Sequence, residues 1–232
     1  MAKAIGIFVA TILYFGAAAS ATQAAPTCAS PERVAAQGRE AVIGVESISA
    51  EGVRSFGAGV IWDYSGHIIT AAHVITNSNR ISVVQANGRS ESARIVGVDT
   101  GQGIAVLRAE SVLGRPITPG QAETARPGQS VVGLGYPRTR EGEPADVVIG
   151  VIGAVKRALP GPYGKLWTEM IQTDALPSFG AGGGPLLDCA GQMIGLSLAV
   201  LAPEGRSIGI GFALPIERVM ASASHVLSPR LH

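Results

Sequence analysis

The stretch Ile171 to Val200, IQTDALPSFGAGGGPLLDCAGQMIGLSLAV, decides the fold. It begins inside a β-like run, Leu166 to Thr173, and passes through a loop in which Gly180, Gly182, Gly183 and Gly184 crowd together. It ends in two more runs, Pro185 to Asp188 and Gln192 to Val200, joined by the turn Asp188-Cys-Ala-Gly191. Short runs of apolar and β-branched residues separated by glycine-rich turns are the material of antiparallel sheets.

The same style extends in both directions. Upstream, β-like runs cover Ala41 to Ile48, Ala58 to Trp62, His67 to Ala71, Ile81 to Gln85, Ala93 to Val98 and Ile104 to Arg108. Asp63-Tyr-Ser-Gly66 and Asn87-Gly88 supply hairpin connections between them. Leu113 to Gln129, with Pro116, Pro119, Gly120, Pro127 and Gly128, is the one extended linker-like segment and divides the chain in two. Beyond it lie runs at Ser130 to Gly135, Val147 to Lys156 and Ile208 to Leu214. Helical patterns occur only at the ends: Pro31 to Arg39, and a segment opened by Pro215 with Val219, Met220 and Ala223 at roughly helical spacing. The expectation is an all-β fold of two antiparallel barrels with short N- and C-terminal helices.

Composition narrows the class. Hydrophobic residues make up 47%, charged residues 15%, and glycine numbers 31, which suits strands and turns rather than a bundle. A net charge of +1, with no basic run, gives no support to nucleic acid or an anionic membrane as a partner. The opening MAKAIGIFVATILYFGAAASA pairs Lys3 with an apolar stretch from Ala4 to Ala19 and ends in Ala19-Ser20-Ala21. This reads as a signal peptide, residues 1–21, cleaved after Ala21, leaving a secreted or periplasmic protein with no membrane span. The remainder divides into residues 22–115, an N-terminal segment and first barrel, and residues 116–232, a second barrel and C-terminal helix. Cys28 and Cys189 are the only cysteines. In an oxidising compartment they can bond, tying the N-terminal segment to the Asp188–Gly191 turn; two separate thiols fit the sequence equally well.

Three segments carry a resemblance. GAGVIWDYSGHIITAAHVI, Gly57 to Ile75, ends in Thr-Ala-Ala-His. VGVDTGQGIAVLRAE, Val96 to Glu110, is a strand-turn-strand, and Gly180-Ala-Gly-Gly-Gly184 is the loop of the opening stretch. In this order they are similar to the HtrA/Deg family of trypsin-like serine proteases, over roughly Arg39 to Leu227. The resemblance implies two six-stranded barrels of the trypsin type, without the PDZ domain into which family members continue. It puts His73 at the position of the triad histidine, Gly103 at that of the aspartate and Gly182 at that of the serine. Gly180, Ala181 and Gly182 fall on the oxyanion loop, and Leu176, Leu196, Ser197 and Leu198 are the expected walls of an apolar substrate pocket. His67 is expected to face solvent, and Asp99 to cap its turn.

The two departures weigh heavily. Without a hydroxyl at 182 no acyl-serine forms, and losing only the orienting carboxylate of such a triad costs about 10⁴ in turnover. Three successive glycines are also expected to loosen the loop. The implied protein is an exported pseudoprotease that binds a polypeptide or a partner protein in a vacant cleft. The alternative is an active HtrA/Deg-like endopeptidase with an unrecognised nucleophile, for which Ser178 and Ser197 are the nearby hydroxyls. A metal site on His73 lacks companion ligands, so no metal and no cofactor is expected. By this reading, Gly182→Ser together with Gly103→Asp is the minimal repair.

Overall fold

In a computed structural model of the chain the described residues are Cys28, 30–136, 145–161, 164–177, 180–201 and 207–228. The expected leader, residues 1–21, with its cleavage point, lies outside them, as do Ser178 and His232.

Helix α1 (Pro31–Arg39) is followed by β1 (Val42–Ser49), β2 (Arg54–Ile61), β3 (His67–Ala71), a 3-10 turn (Ala72–Ile75), β4 (Ser78–Val84), β5 (Ser90–Ser92), β6 (Arg94–Asp99) and β7 (Ile104–Arg108). The second half holds β8 (Ser130–Gly135), β9 (Asp146–Pro160), β10 (Leu166–Thr173), β11 (Pro185–Leu187), β12 (Met193–Val200), β13 (Gly211–Pro215) and α2 (Ile216–Leu227). The all-β class with two sheets and terminal helices is therefore present. The first sheet departs from the expected six-stranded barrel: it has seven strands in the order β5-β4-β1-β2-β3-β7-β6, with β5 and β6 as its ends. The extra strand, β5, is Ser-Glu-Ser, too short and polar to carry an alternation signal. The second sheet is a closed six-stranded barrel, β10-β13-β12-β11-β8-β9.

Apolar strands dictate where the core sits. Ile43, Val45, Ile68, Ile69 and Leu107 from the first sheet merge with Leu134, Leu187, Leu196 and Leu214 from the second into one cluster, so the sheets share an interior. A smaller cluster, including Val131, Ile152, Ile171 and Leu186, fills the second barrel alone. The linker-like segment is stapled to both: the Ile117 amide donates to Ile61, and the Gly120 amide donates to Met193. The helices tie the halves further. Gly38 of α1 approaches so near Leu187 and Leu134 that a Cβ there would lie 2.4 Å from Leu187 Cδ1. In α2, Val226 fills the space over Gly97 of β6. Cys28 is bonded to Cys189, which fastens the chain ahead of α1 to the turn between β11 and β12.

Candidate active-site cleft

His73 owes its position to its buried neighbours. After β3 the chain makes one 3-10 turn in which Val74 and Ile75 are buried while His73 stays at the surface. Ser47 Oγ donates to the Val74 carbonyl at 2.6 Å, and the Ala72 amide donates to the Gly103 carbonyl at 2.8 Å. The second bond, together with the pairing of Ala71 with Ile104, sets Gly103 beside the histidine turn.

The glycine loop is pinned rather than loose, contrary to expectation. The Gly182 carbonyl accepts from Ala58, Gly183 donates to Ser197, Ser197 donates to Gly184, and Gly184 donates to Ala181, each at 2.8 Å. Gly183 has φ +86, and a Cβ on it would lie 2.2 Å from the Ala58 carbonyl oxygen and 2.4 Å from Thr70 Oγ1. Packing against β2 and β3 thus demands glycine there.

The two positions expected to lack catalytic groups are not empty. A Cβ on Gly182 would stand 2.7 Å from His73 Nε2 and 2.9 Å from Cε1, so the imidazole edge crowds the space a side chain there would take. Gly103 has φ +74, and a Cβ on it would meet Trp167 Cζ2 at 2.4 Å. The Trp167 ring, buried and with no hydrogen-bond partner for Nε1 among the described residues, fills the place where a carboxylate would begin. Its far side helps to line an apolar cavity of about 330 Å³ with His73, Ile95 and Val98. Trp167 was not foreseen: nothing in the run LWTEMIQT separates it from an ordinary core strand residue.

Electrostatics follow from these contacts. The cleft walls strip water from the His73 ring and hold its pKa below the usual histidine value, so the ring is neutral at neutral pH. Asp99 does not serve it. The Ser222 hydroxyl donates to Asp99 Oδ2 at 2.6 Å and the Gln102 amide to Oδ1 at 3.0 Å. Burial by itself would raise the Asp99 pKa, but the Ser222 bond, the Gln102 and Gly101 amides and the nearby His225 outweigh it and hold the carboxyl below its usual range. His67, expected to face solvent, instead has Nδ1 2.7 Å from Asp63 Oδ2 and a side chain only 17% exposed.

A second cavity, about 360 Å³, joins the pieces: Phe56, His73, the Gly180–Gly182 loop and Ser197 to Val200 of β12 line it. Of the expected walls, Ser197 and Leu198 are present, while Leu176 and Leu196 are not. Leu176 packs on Gly211, where a Cβ would lie 2.5 Å from its Cδ1, and Leu196 is fully buried in the shared core. Ser197 Oγ is itself buried without a partner among the described residues. No cluster of three or more metal-binding side chains occurs among the described residues.

Comparison with known proteins agrees with this geometry. Residues 57–196 match the trypsin-like peptidase domain. Protease Do-like 5, chloroplastic, of Arabidopsis thaliana is 36% identical over 191 residues, covering 75% of this chain and 58% of that protein. Periplasmic serine endoprotease DegP of Escherichia coli is 33% identical over 175 residues, covering 75% of this chain and 36% of that protein. The chain thus spans less than two thirds of these curated relatives. Among solved structures, HtrA-type protease AlgW with tripeptide superimposes with a TM-score of 0.75 at 29% identity, covering 87% of this chain and 64% of that chain. A glycine loop pinned against β2, a histidine turn beside it and a family match running across both place this chain in the trypsin-like peptidase domain family, as a homologue of the HtrA/Deg proteases.

Proposed function

We propose that this chain is an exported pseudoprotease that holds extended polypeptide in the cleft between its sheets without cleaving it. One observation carries the reading: the space over Gly103, where the orienting carboxylate is expected, is filled by the Trp167 ring, and the His73 ring crowds the space over Gly182. A cleft that had lost only a side chain would retain a hole for a rescuing group, whereas this one has repacked. Binding needs less than catalysis. β11 pairs with β12 as far as Leu196, so Leu198 to Val200 face the cleft with one edge unpaired among the described residues. An open edge of this kind recruits a peptide as an added strand. Relatives of the HtrA type have been solved with a tripeptide and with a decapeptide, which fits a peptide ligand. Export rests on the apolar leader and the Ala19-Ser20-Ala21 triplet; DegP, a homologue, is periplasmic by name.

The test uses the mature chain. It should neither label with a fluorophosphonate probe nor degrade casein, while an extended fluorescent peptide should bind with an anisotropy change that Val200→Arg, at a partly buried position of the same edge, abolishes. Probe labelling, or casein degradation that depends on His73, would overturn the proposal.

A further inference from the structure

The cleft leaves one reactive group in place. The His73 ring makes no hydrogen bond among the described residues, its Nε2 lies 2.7 Å from where a Cβ at 182 would be, and the ring opens on the cavity. The amides of Gly180 and Gly182 on the same wall donate to no described acceptor. We infer that His73 Nε2, beside the place of the missing hydroxyl, acts as the nucleophile and makes this cleft an acyl-transfer site for activated esters. The inference rests on the cleft being open to ligand, as proposed above.

The Nε2 lone pair attacks the ester carbonyl carbon, and the carbonyl electron pair moves to oxygen, where the loop amides hold it. Collapse of that intermediate breaks the carbon–oxygen bond to the leaving group, which departs as aryloxide with the bonding pair. The acylated ring loses its Nδ1 proton to water, giving a neutral acyl-imidazole. Water then adds to the acyl carbon, the C–N bond breaks, and the products are a carboxylate, the aryloxide, two protons and the restored imidazole. The same step fails on a peptide bond. An amine is a far poorer leaving group than imidazole, so the tetrahedral intermediate expels the ring and returns the peptide intact. Esterase chemistry and proteolytic silence therefore come from one geometry.

The experiment follows p-nitrophenyl acetate hydrolysis by the mature chain, with anisotropy of the fluorescent peptide measured alongside. The rate should climb through a pKa below that of ordinary histidine and fall on the order of a hundredfold in His73→Ala. It should fall equally in Gly182→Ala, whose methyl would displace the ring from 2.7 Å, and remain unchanged in His225→Ala. During turnover a transient acyl-imidazole should be seen by its ultraviolet absorbance and be absent in His73→Ala. A rate unaltered by His73→Ala, or a transient acyl-imidazole signal that persists in that variant, would overturn the inference. Peptide binding separates the two claims: intact binding with a His73-independent rate sinks the esterase alone, whereas a His73-dependent rate without binding sinks the peptide reading alone.

Discussion

Gly103→Ala should be far more costly than a surface turn substitution, and the cost should reside in Trp167. At φ +74 any residue with a Cβ is strained by about 1–2 kcal/mol. The added methyl would also lie 2.4 Å from Trp167 Cζ2, and forcing an extra methyl into a packed site costs about 1–3 kcal/mol more. The sum, about 2–5 kcal/mol, is a large share of the roughly 5–15 kcal/mol that holds a domain folded. Denaturant unfolding followed by far-ultraviolet circular dichroism measures it, in a cycle with Trp167→Leu. In the leucine background the clash is relieved, so Gly103→Ala should cost only the backbone part, about 1–2 kcal/mol. A cost below about 0.5 kcal/mol in the wild-type background would refute the reasoning, as would equal costs in both backgrounds.

The same clash bears on reactivation: Gly182→Ser with Gly103→Asp should remain inactive toward casein, because the new carboxylate has no space, while adding Trp167→Leu should yield measurable, fluorophosphonate-sensitive cleavage. Reduction of the Cys28–Cys189 bond releases a loop spanning a sequence separation of 161, which should lower unfolding stability by about 5 kcal/mol in the chain-entropy picture, seen as an earlier denaturant midpoint with reductant. The depressed Asp99 pKa gives a signed pH dependence. Its folded value lies below its unfolded one, so its stabilisation is complete above the usual carboxylate range and is lost as pH falls through the folded pKa. Ser222→Ala should therefore cost about 1 kcal/mol near neutrality, allowing for solvent screening, and lose its effect in acid; an equal cost at both pH values would contradict the assignment.

Much of the fold was legible because strands announce themselves by burial. β3, β7, β8 and β10 match their expected bounds; β3, β7 and β8 are mainly apolar runs, and β10 is a β-like run of mixed apolar and polar residues. The failures have local causes. β2 begins at Arg54, four residues before the apolar run, and β9 continues past Lys156 to Pro160; both extensions are held by ladder bonds that alternation does not report. β13 starts at Gly211 rather than Ile208, since Ile208 is exposed and stands outside the barrel. At the site, the segments carrying His73, Gly103 and Gly182 do lie together, because motif spacing records the backbone path. Leu176 and Leu196 were misplaced because sequence proximity to the loop says nothing of which side of the barrel wall a side chain takes. Leu176 turned inward onto Gly211.

Trp167 was illegible for a deeper reason. A carboxylate at 103 beside an imidazole would be a partly buried charge, tolerable only with a well-placed partner, since removing one member of such a pair is strongly destabilising. Once glycine stands at 103 that requirement disappears, and the void has to be closed by an apolar group from another strand or left as a cavity, at about 24 cal/mol per Å³. β10, remote in sequence, supplies the indole. The His73 ring borders the second vacancy and belongs to the motif itself, so no residue from a distant strand is called for there. The two fillings also differ in reversibility. A Cβ at 182 meets only the far end of a mobile side chain, while one at 103 meets a ring buried in the shared core. A side chain at 182 is thus a local change, whereas one at 103 is a change of packing.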